Sequence, residues 1–268
     1  MSQVSPEAYY DALRNLLCEL FGHDWHLGYW LNASTIVEAG ERLNEVMAAR
    51  LRAAPGMTVV DIGCGVGGGA CFLASRYGSR VVGVSNSRPG LEEASRFART
   101  RGVDHLVTFE YGEMQQLPFP AASFDAVWSC EAIHNVADKA PVVREIARVL
   151  KPGGTAVLGD LFLLDSAPNG PDAERFRQFS FHLSTADDFI ALMQAHGLRV
   201  HESIDIGHLV GPQSPNASAE VCREKLRHTT DLTLERTILE RTIMATTFLA
   251  EKFHARSIGW GIWVGRKE

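Results

Sequence analysis

In the first quarter of the chain, an apolar run from Met57 to Ile62 breaks into five glycines within seven positions, Gly63, Gly65, Gly67, Gly68 and Gly69. A run that short reads as a buried strand, and the following ACFLASRYG reads as a helix. A second apolar run, RVVGVS at 80–85, completes a β-α-β unit. Glycines at such a strand-to-helix bend let backbone amides approach a ligand with no Cβ in the way. Gly63, Gly65 and Gly68 also satisfy the dinucleotide spacing G-x-G-x-x-G, which by itself carries little weight.

Asp61, two positions before the first glycine, separates the candidate ligands. A carboxylate there repels a pyrophosphate but accepts hydrogen bonds from an ammonium group. A dinucleotide site also wants an acid closing the second strand, where this chain has Ser85-Asn86-Ser87. The bend therefore suits S-adenosylmethionine (SAM), which carries an ammonium and a sulfonium, better than a nicotinamide dinucleotide. An NAD(P)-dependent oxidoreductase, a non-catalytic SAM-binding module and a glycine turn that only packs helix on strand stay as alternatives.

The alternation continues along the chain. Ile36, Ala39, Gly40, Leu43, Met47 and Arg50/Leu51 form one helical stripe over 34–51, and Thr35 with Glu38 makes a capping box. A helix from about Pro89 to Arg101, strands at LVTFEY and FDAVWSC, a helix from about Lys139 to Leu150 and a strand at TAVLGDL follow. Beyond them lie a helix near 185–196, an apolar run at 198–206, a polar helical stretch at 217–255 and the final run IGWGIWVG. Strands alternating with helices predict an α/β fold with a Rossmann-like, doubly wound, parallel sheet of seven strands. A single domain over 1–268 divides into an N-terminal helical lid (1–55), a SAM-binding core (56–165), a substrate cap with remaining core elements (166–256) and a final strand (257–268). Leu226, Leu232, Ile238, Ile243 and Phe248 on the 217–255 stretch offer a face for pairing between subunits of a homo-oligomer.

A formal charge of -6 argues against a nucleic-acid partner, which needs clustered Lys and Arg. No run of apolar residues is long enough for a membrane span, and the polar start MSQVSPEAYYD lacks signal-peptide features, so a cytoplasmic protein with no stable membrane association is expected. The five cysteines are odd in number and never spaced C-x-x-C, which reads as reduced thiols. His23 and His26 have no carboxylate at ligand spacing and no H-E-x-x-H occurs, so no metal site is expected.

Four blocks resemble class I SAM-dependent methyltransferases of the branch that modifies natural products, sterols and quinones: HLGYW (26–30), VVDIGCGVGGG (59–69), GEMQQLPFPAASFDAVWSCEAIHNV (112–136) and REIARVLKPGGTAVLGD (144–160). The similarity is strong from about 25 to 165 and includes sugar O-methyltransferases of antibiotic biosynthesis. It implies that Asp61, Gly63, Gly65 and Gly67 surround the methionine end of SAM, that Ser85 and Asn86 lie near the ribose, and that Glu113, beside Met114, receives the adenine amino group. Ser85 departs from relatives that carry an acid there. The resemblance places Cys130 beneath the sulfonium and Glu131 near cofactor or substrate. It makes Tyr29 and Trp30, with Tyr9 and Tyr10, an aromatic lid over the cofactor.

Methyl transfer is an in-line displacement, for which alignment supplies much of the acceleration and a base near neutrality helps a weak nucleophile. His134 follows the carboxyl end of the fourth strand, where open α/β sheets place reacting groups, and Asp160 closes the neighbouring strand. A carboxylate there can orient the imidazole, as in other histidine-acid pairs, although a surface histidine and a helix cap are the plain alternatives. The resemblance supports His134 and Asp160 as the catalytic pair. Phe176, Phe179, Phe181 and His182 line a pocket or pack a core. The expected reaction is O-methylation of a small molecule, with C- or N-methylation of an isoprenoid, indole or amine as the alternative.

Overall fold

In the computed structural model, residues 14, 16–165, 168–211, 213–228 and 234–268 are described. Tyr9, Tyr10 and Leu232 lie outside them. After a helical run at 16–21, helix α1 (Ile36–Leu51) starts where Thr35 Oγ1 accepts from the Glu38 amide at 3.1 Å. Glu38 Oε2 accepts in return from the Ser34 amide at 2.8 Å, so the predicted capping box forms, reaching one residue further back. Ala39, Gly40, Leu43, Met47 and Leu51 are buried as the stripe predicts, with Asn44 and Ala48 added, while Ile36 at the first turn is half-buried.

The core alternates as the pattern predicts: β1 (Thr58–Ile62), α2 (Gly68–Tyr77), β2 (Arg80–Ser85), α3 (Arg88–Thr100), β3 (Val107–Tyr111), β4 (Phe124–Cys130), α4 (Ala140–Val149) and β5 (Leu150–Leu163). Then come α5 (Gly170–Gln178), α6 (Ala186–Ala195), β6 (Leu198–Asp205), α7 (Gly207–Val210), α8 (Gln213–His228), α9 (Leu234–His254) and β7 (Ile258–Lys267). The seven strands form one sheet ordered β3-β2-β1-β4-β5-β7-β6. Because the chain steps outward in opposite directions from β1 and β4, a crevice opens at the carboxyl ends of these two strands, where the site lies.

The sheet corrects the expectation of purely parallel strands. β7 runs antiparallel to both β5 and β6. The reason is where the chain re-enters. β6 ends at the carboxyl edge, and α8 and α9 stay there, since Ser218 and Thr242 share a cavity with His134 just past the end of β4. A strand entering from that edge can only run backwards. Its WGIW segment buries Trp260, Ile262 and Trp263, filling the slot between β5 and β6.

The stripe offered for subunit pairing is used within the chain. Ile238 packs with Leu16, Leu17, Phe21 and Cys222, with Leu226 and Ile243 against them, while Phe248 is fully buried in the main core. An amphipathic helix pair over a crevice buries its apolar face on the crevice first. No helix among the described residues is long and apolar enough to cross a membrane.

Candidate active site

The crevice holds two adjoining cavities. The larger, of about 730 Å³, is lined by the glycine bend, the ends of β2 and β4, and the segment 112–115. Gly63, Gly65 and Gly67 all take left-handed φ values of 78°, 54° and 86°. They do so for different reasons. A Cβ on Gly63 would lie 2.3 Å from the Ala132 Cβ, so that glycine permits close packing. A Cβ on Gly65 would meet nothing within 4 Å, because its bare backbone faces the cavity.

Asp61 is the next-to-last residue of β1 and is 3% exposed. Burial pushes its carboxyl up to about 7, against the pull of a hydrogen bond from the Ala70 amide. A carboxyl poised there ionises readily when a cation arrives. Ser85, Asn86, Glu113 and Met114 line the same cavity, and Asn86 Nδ2 donates to Glu113 Oε2 at 3.4 Å. The Ser85 hydroxyl accepts from the Ser87 amide at 3.2 Å. Cys130 also lines this cavity, and burial holds its thiol well above the ordinary range. It is inert as a nucleophile at neutral pH.

The smaller cavity, about 180 Å³, shares Trp25, His26, Glu131 and Asn135 with the larger. His134 lines it from a 3-10 turn at Ile133–Asn135. Asp160 holds that turn at two points, its Oδ1 lying 2.6 Å from His134 Nδ1 and its Oδ2 accepting from the His134 amide at 2.9 Å. The Leu161 amide anchors the carboxylate in turn, at 2.8 Å. Burial disfavours the imidazolium, yet the Asp160 charge and hydrogen bond, with Glu131, outweigh it and raise the His134 pKa above 6.5. With Nδ1 taken by Asp160, Nε2 is the nitrogen left to serve the cavity. The arrangement can position and exchange a proton beside a space walled in part by Leu161, Phe179 and Phe181.

Glu131 takes a left-handed φ of 50°, unusual for a side chain with a Cβ. Its Oε1 accepts from the Leu27 amide and from the Trp260 indole, each at 2.8 Å. One carboxylate thus ties the N-terminal segment and β7 to the end of β4.

Comparison with known proteins agrees with this geometry. Residues 60–158 match the family described as "Methyltransferase domain". The 27-O-demethylrifamycin SV methyltransferase of Amycolatopsis mediterranei (strain S699) is 37% identical over 85% of this chain and 87% of its own length. This chain is a SAM-dependent methyltransferase. Methyltransferase GfsG of Streptomyces halstedii is 36% identical to it over 77% of each chain. In fold, the methyltransferase superposes on the [4+2]-cyclase SpnF with a TM-score of 0.85 at 24% identity, covering 99% of this chain and 96% of that one. A geranyl diphosphate methyltransferase solved with SAM gives 0.72 at 20% identity over 92% and 99%. Its cofactor is SAM, and the large cavity fits that group: bare backbone at Gly65, a buried acid at Asp61, and apolar walls.

The methyltransferase brings together Asp61, Gly63, Gly65, Ser85, Asn86, Glu113, Met114, Cys130 and Glu131 around the large cavity, as the sequence suggested. Gly67 does not line it. A Cβ there would meet Ala94 and Phe109 at 2.9 Å, so Gly67 serves the packing of α2 behind the bend. Tyr29 and Trp30 line neither cavity. Their backbone amides are bound to Ala39 and Leu209 carbonyls, at 2.8 and 2.9 Å, which turns this part of the segment toward α1 and α7. The residues that wall the cavity instead are His23, Asp24, Trp25 and His26, just upstream, with Asn44 from α1. Asn44 was legible as a polar break in an apolar stripe.

The two histidines also have carboxylates that spacing could not reveal. His23 Nε2 is 3.0 Å from Glu93 Oε1, from α3, and its ring stacks on Phe97 at 3.6 Å; His26 Nε2 is 3.7 Å from Asp24 Oδ1. Among the described residues one His/Cys/acid trio, Cys18, His23 and Glu93, has its ligand atoms within 4.8 Å of each other, and Arg96 already pairs with that Glu93. The aromatic cluster divides: Phe179 and Phe181 line the smaller cavity and His182 the larger, while Phe176 packs on Phe248.

Proposed function

We propose that this methyltransferase O-methylates a hydroxyl of a small secondary metabolite, with His134 as general base and Asp160 holding it. The observation that carries this reading is the 2.6 Å contact of His134 Nδ1 with buried Asp160, on the wall of a cavity that adjoins the cofactor cavity. Bound SAM supplies an electrophilic methyl group on a sulfonium. The bend carries Asp61 for the ammonium and Gly65 for close backbone approach, while Ser85 and Asn86 serve the ribose and Glu113, with Met114, the adenine. Cys130 and Glu131 stand at the sulfonium end. The acceptor occupies the smaller cavity, whose Leu161, Phe179 and Phe181 exclude water from the reacting oxygen.

His134 Nε2 accepts the hydroxyl proton as the oxygen turns nucleophilic, and Asp160 stabilises the imidazolium that results. Asp160 also fixes the tautomer, since a proton held on Nδ1 leaves the Nε2 lone pair toward the acceptor. The chain acts as one domain over 1–268, within the cytoplasm, on a small molecule rather than a nucleic acid, in keeping with a net charge of -6.

The test is acceptor screening with SAM and mass detection of a product heavier by one methylene. 27-O-Demethylrifamycin SV, the compound in the Amycolatopsis relative's name, is the first acceptor to try. A methylated oxygen, with turnover falling about 100-fold or more in His134→Ala, is the expected result. Methylation at carbon or nitrogen, or full turnover in that variant, would overturn it.

A further inference from the structure

Two buried polar side chains on the wall of the large cavity keep polar atoms without a hydrogen bond. The His26 side chain is 7% exposed; its Nε2 stands 3.7 Å from Asp24 Oδ1, beyond hydrogen-bond length, and its Nδ1 has no partner. Asn44 is fully buried and donates from Nδ2 to Asp24 Oδ1 at 2.7 Å, which orients the amide and leaves its Oδ1 without a donor. Unsatisfied buried polar atoms are rare because desolvating them costs free energy that only a partner returns. Two of them side by side on one cavity wall point to a ligand that completes both.

Their chemistry is of opposite sense. Asn44 Oδ1 can only accept. His26 is a donor, because its Nε2 faces the Asp24 carboxylate at 3.7 Å, and that interaction, helped by the charge of Glu131, outweighs the burial that works against the charged ring and raises its pKa. Their position is equally specific. A Cβ on Gly68 would come within 2.4 Å of Asp24 Oδ1, and one on Gly69 within 3.5 Å of Asp61 Oδ2. The cluster therefore sits at the α2 end of the glycine bend, against Asp61. An acceptor and a donor beside a buried acid match an α-amino acid, whose ammonium needs acceptors and whose carboxylate needs a donor.

We propose that His26 donates to the carboxylate of the cofactor's methionine end while Asn44 Oδ1 accepts from its ammonium, so that the 23–26 segment reads the zwitterion rather than merely covering it. Asp24 is a positioning residue that aims both. The inference rests on the methionine end lying at Asp61, as proposed above.

Calorimetric titration separates the possibilities. Wild-type protein, His26→Phe and His26→Gln are titrated with SAM, decarboxylated SAM and 5'-methylthioadenosine, which lacks the amino-acid end. Wild type should bind SAM roughly tenfold or more tighter than the decarboxylated form, as expected for one charge-assisted hydrogen bond. In His26→Phe that preference should collapse to within about threefold while methylthioadenosine affinity is unchanged, and His26→Gln, which keeps a donor, should recover part of it. Retention of the preference in His26→Phe overturns the proposal, as does an equal loss for all three ligands. Asp61→Asn is the control for the underlying placement: if SAM affinity ignores that change, the methionine end lies elsewhere, whereas an Asp61 effect with no His26 effect sinks only the present inference.

Discussion

Asp61 is the proposed anchor of the cofactor's ammonium. Burial pushes its pKa up to about 7, so near neutral pH the free protein holds a proton there which that proposed contact would displace. SAM binding should therefore release protons around pH 7, and affinity should rise as pH climbs through that value. Titrations in buffers of differing ionisation enthalpy measure the release; equal heats in all buffers would contradict it. The stability sign follows from linkage. The folded carboxyl keeps its proton up to about 7 while the unfolded one loses it near 3.8, so the ligand-free protein loses stability as pH rises between them and gains none back above. Asp61→Asn should raise the ligand-free Tm at pH 8 by roughly 5 °C while weakening SAM roughly 10- to 100-fold.

His134 titrates with the opposite consequence. Its folded pKa lies above 6.5, so the ion pair with Asp160 contributes fully to stability below about 6.5 and is lost as pH rises through the folded value. A base must be unprotonated, so turnover should climb over that same alkaline window. Asp160→Asn should shift the climb to lower pH and depress kcat with little change in SAM affinity. A pH-rate profile with an unmoved limb would remove Asp160 from the proposed role.

At the scale of elements, the glycine bend separates two functions of glycine that the sequence writes identically. Gly63→Ala forces a Cβ to 2.3 Å from Ala132, so the β1-α2 bend must shift, and both urea stability and SAM affinity should fall. Gly65→Ala has space but an unfavourable φ of 54°. It should cost about 1–2 kcal/mol in urea unfolding and still fold, yet bind SAM more weakly because its Cβ enters the cavity. The end of β4 is the second such element, where Glu131 in its left-handed conformation receives Leu27 and Trp260. Trp260→Phe removes one donor to that carboxylate and leaves a cavity where the larger indole was, for an expected loss of about 2–4 kcal/mol. Chemical denaturation with and without SAM measures it.

For the molecule as a whole, the reversed β7 decides how the cap meets the core. Helices α8 and α9 stay over the crevice and β7 descends from them, so the cap, the sheet edge and the Glu131 junction form one connected body. Cofactor binding should stabilise that body by mass action, by about 2.7 kcal/mol at a SAM concentration 100 times Kd. A Tm independent of SAM concentration would show that the cavity does not bind it.

Local parts were legible along the chain: the strand-helix alternation, the bend with Asp61, the capping of α1, and His134 and Asp160 near the carboxyl ends of adjacent strands, although β5 runs on past Asp160 to Leu163. Each is set by near neighbours, through periodicity, backbone freedom or position at a strand's carboxyl end. The direction of β7 and the placement of His26 and Asn44 on the cavity wall came from the packing of the folded chain. Those depend on which distant segment fills a given space, as when a carboxylate at 131 receives an amide from 27 and an indole from 260. Contacts between residues a hundred positions apart leave no periodic trace along the chain, because what selects them is the packing of whole elements.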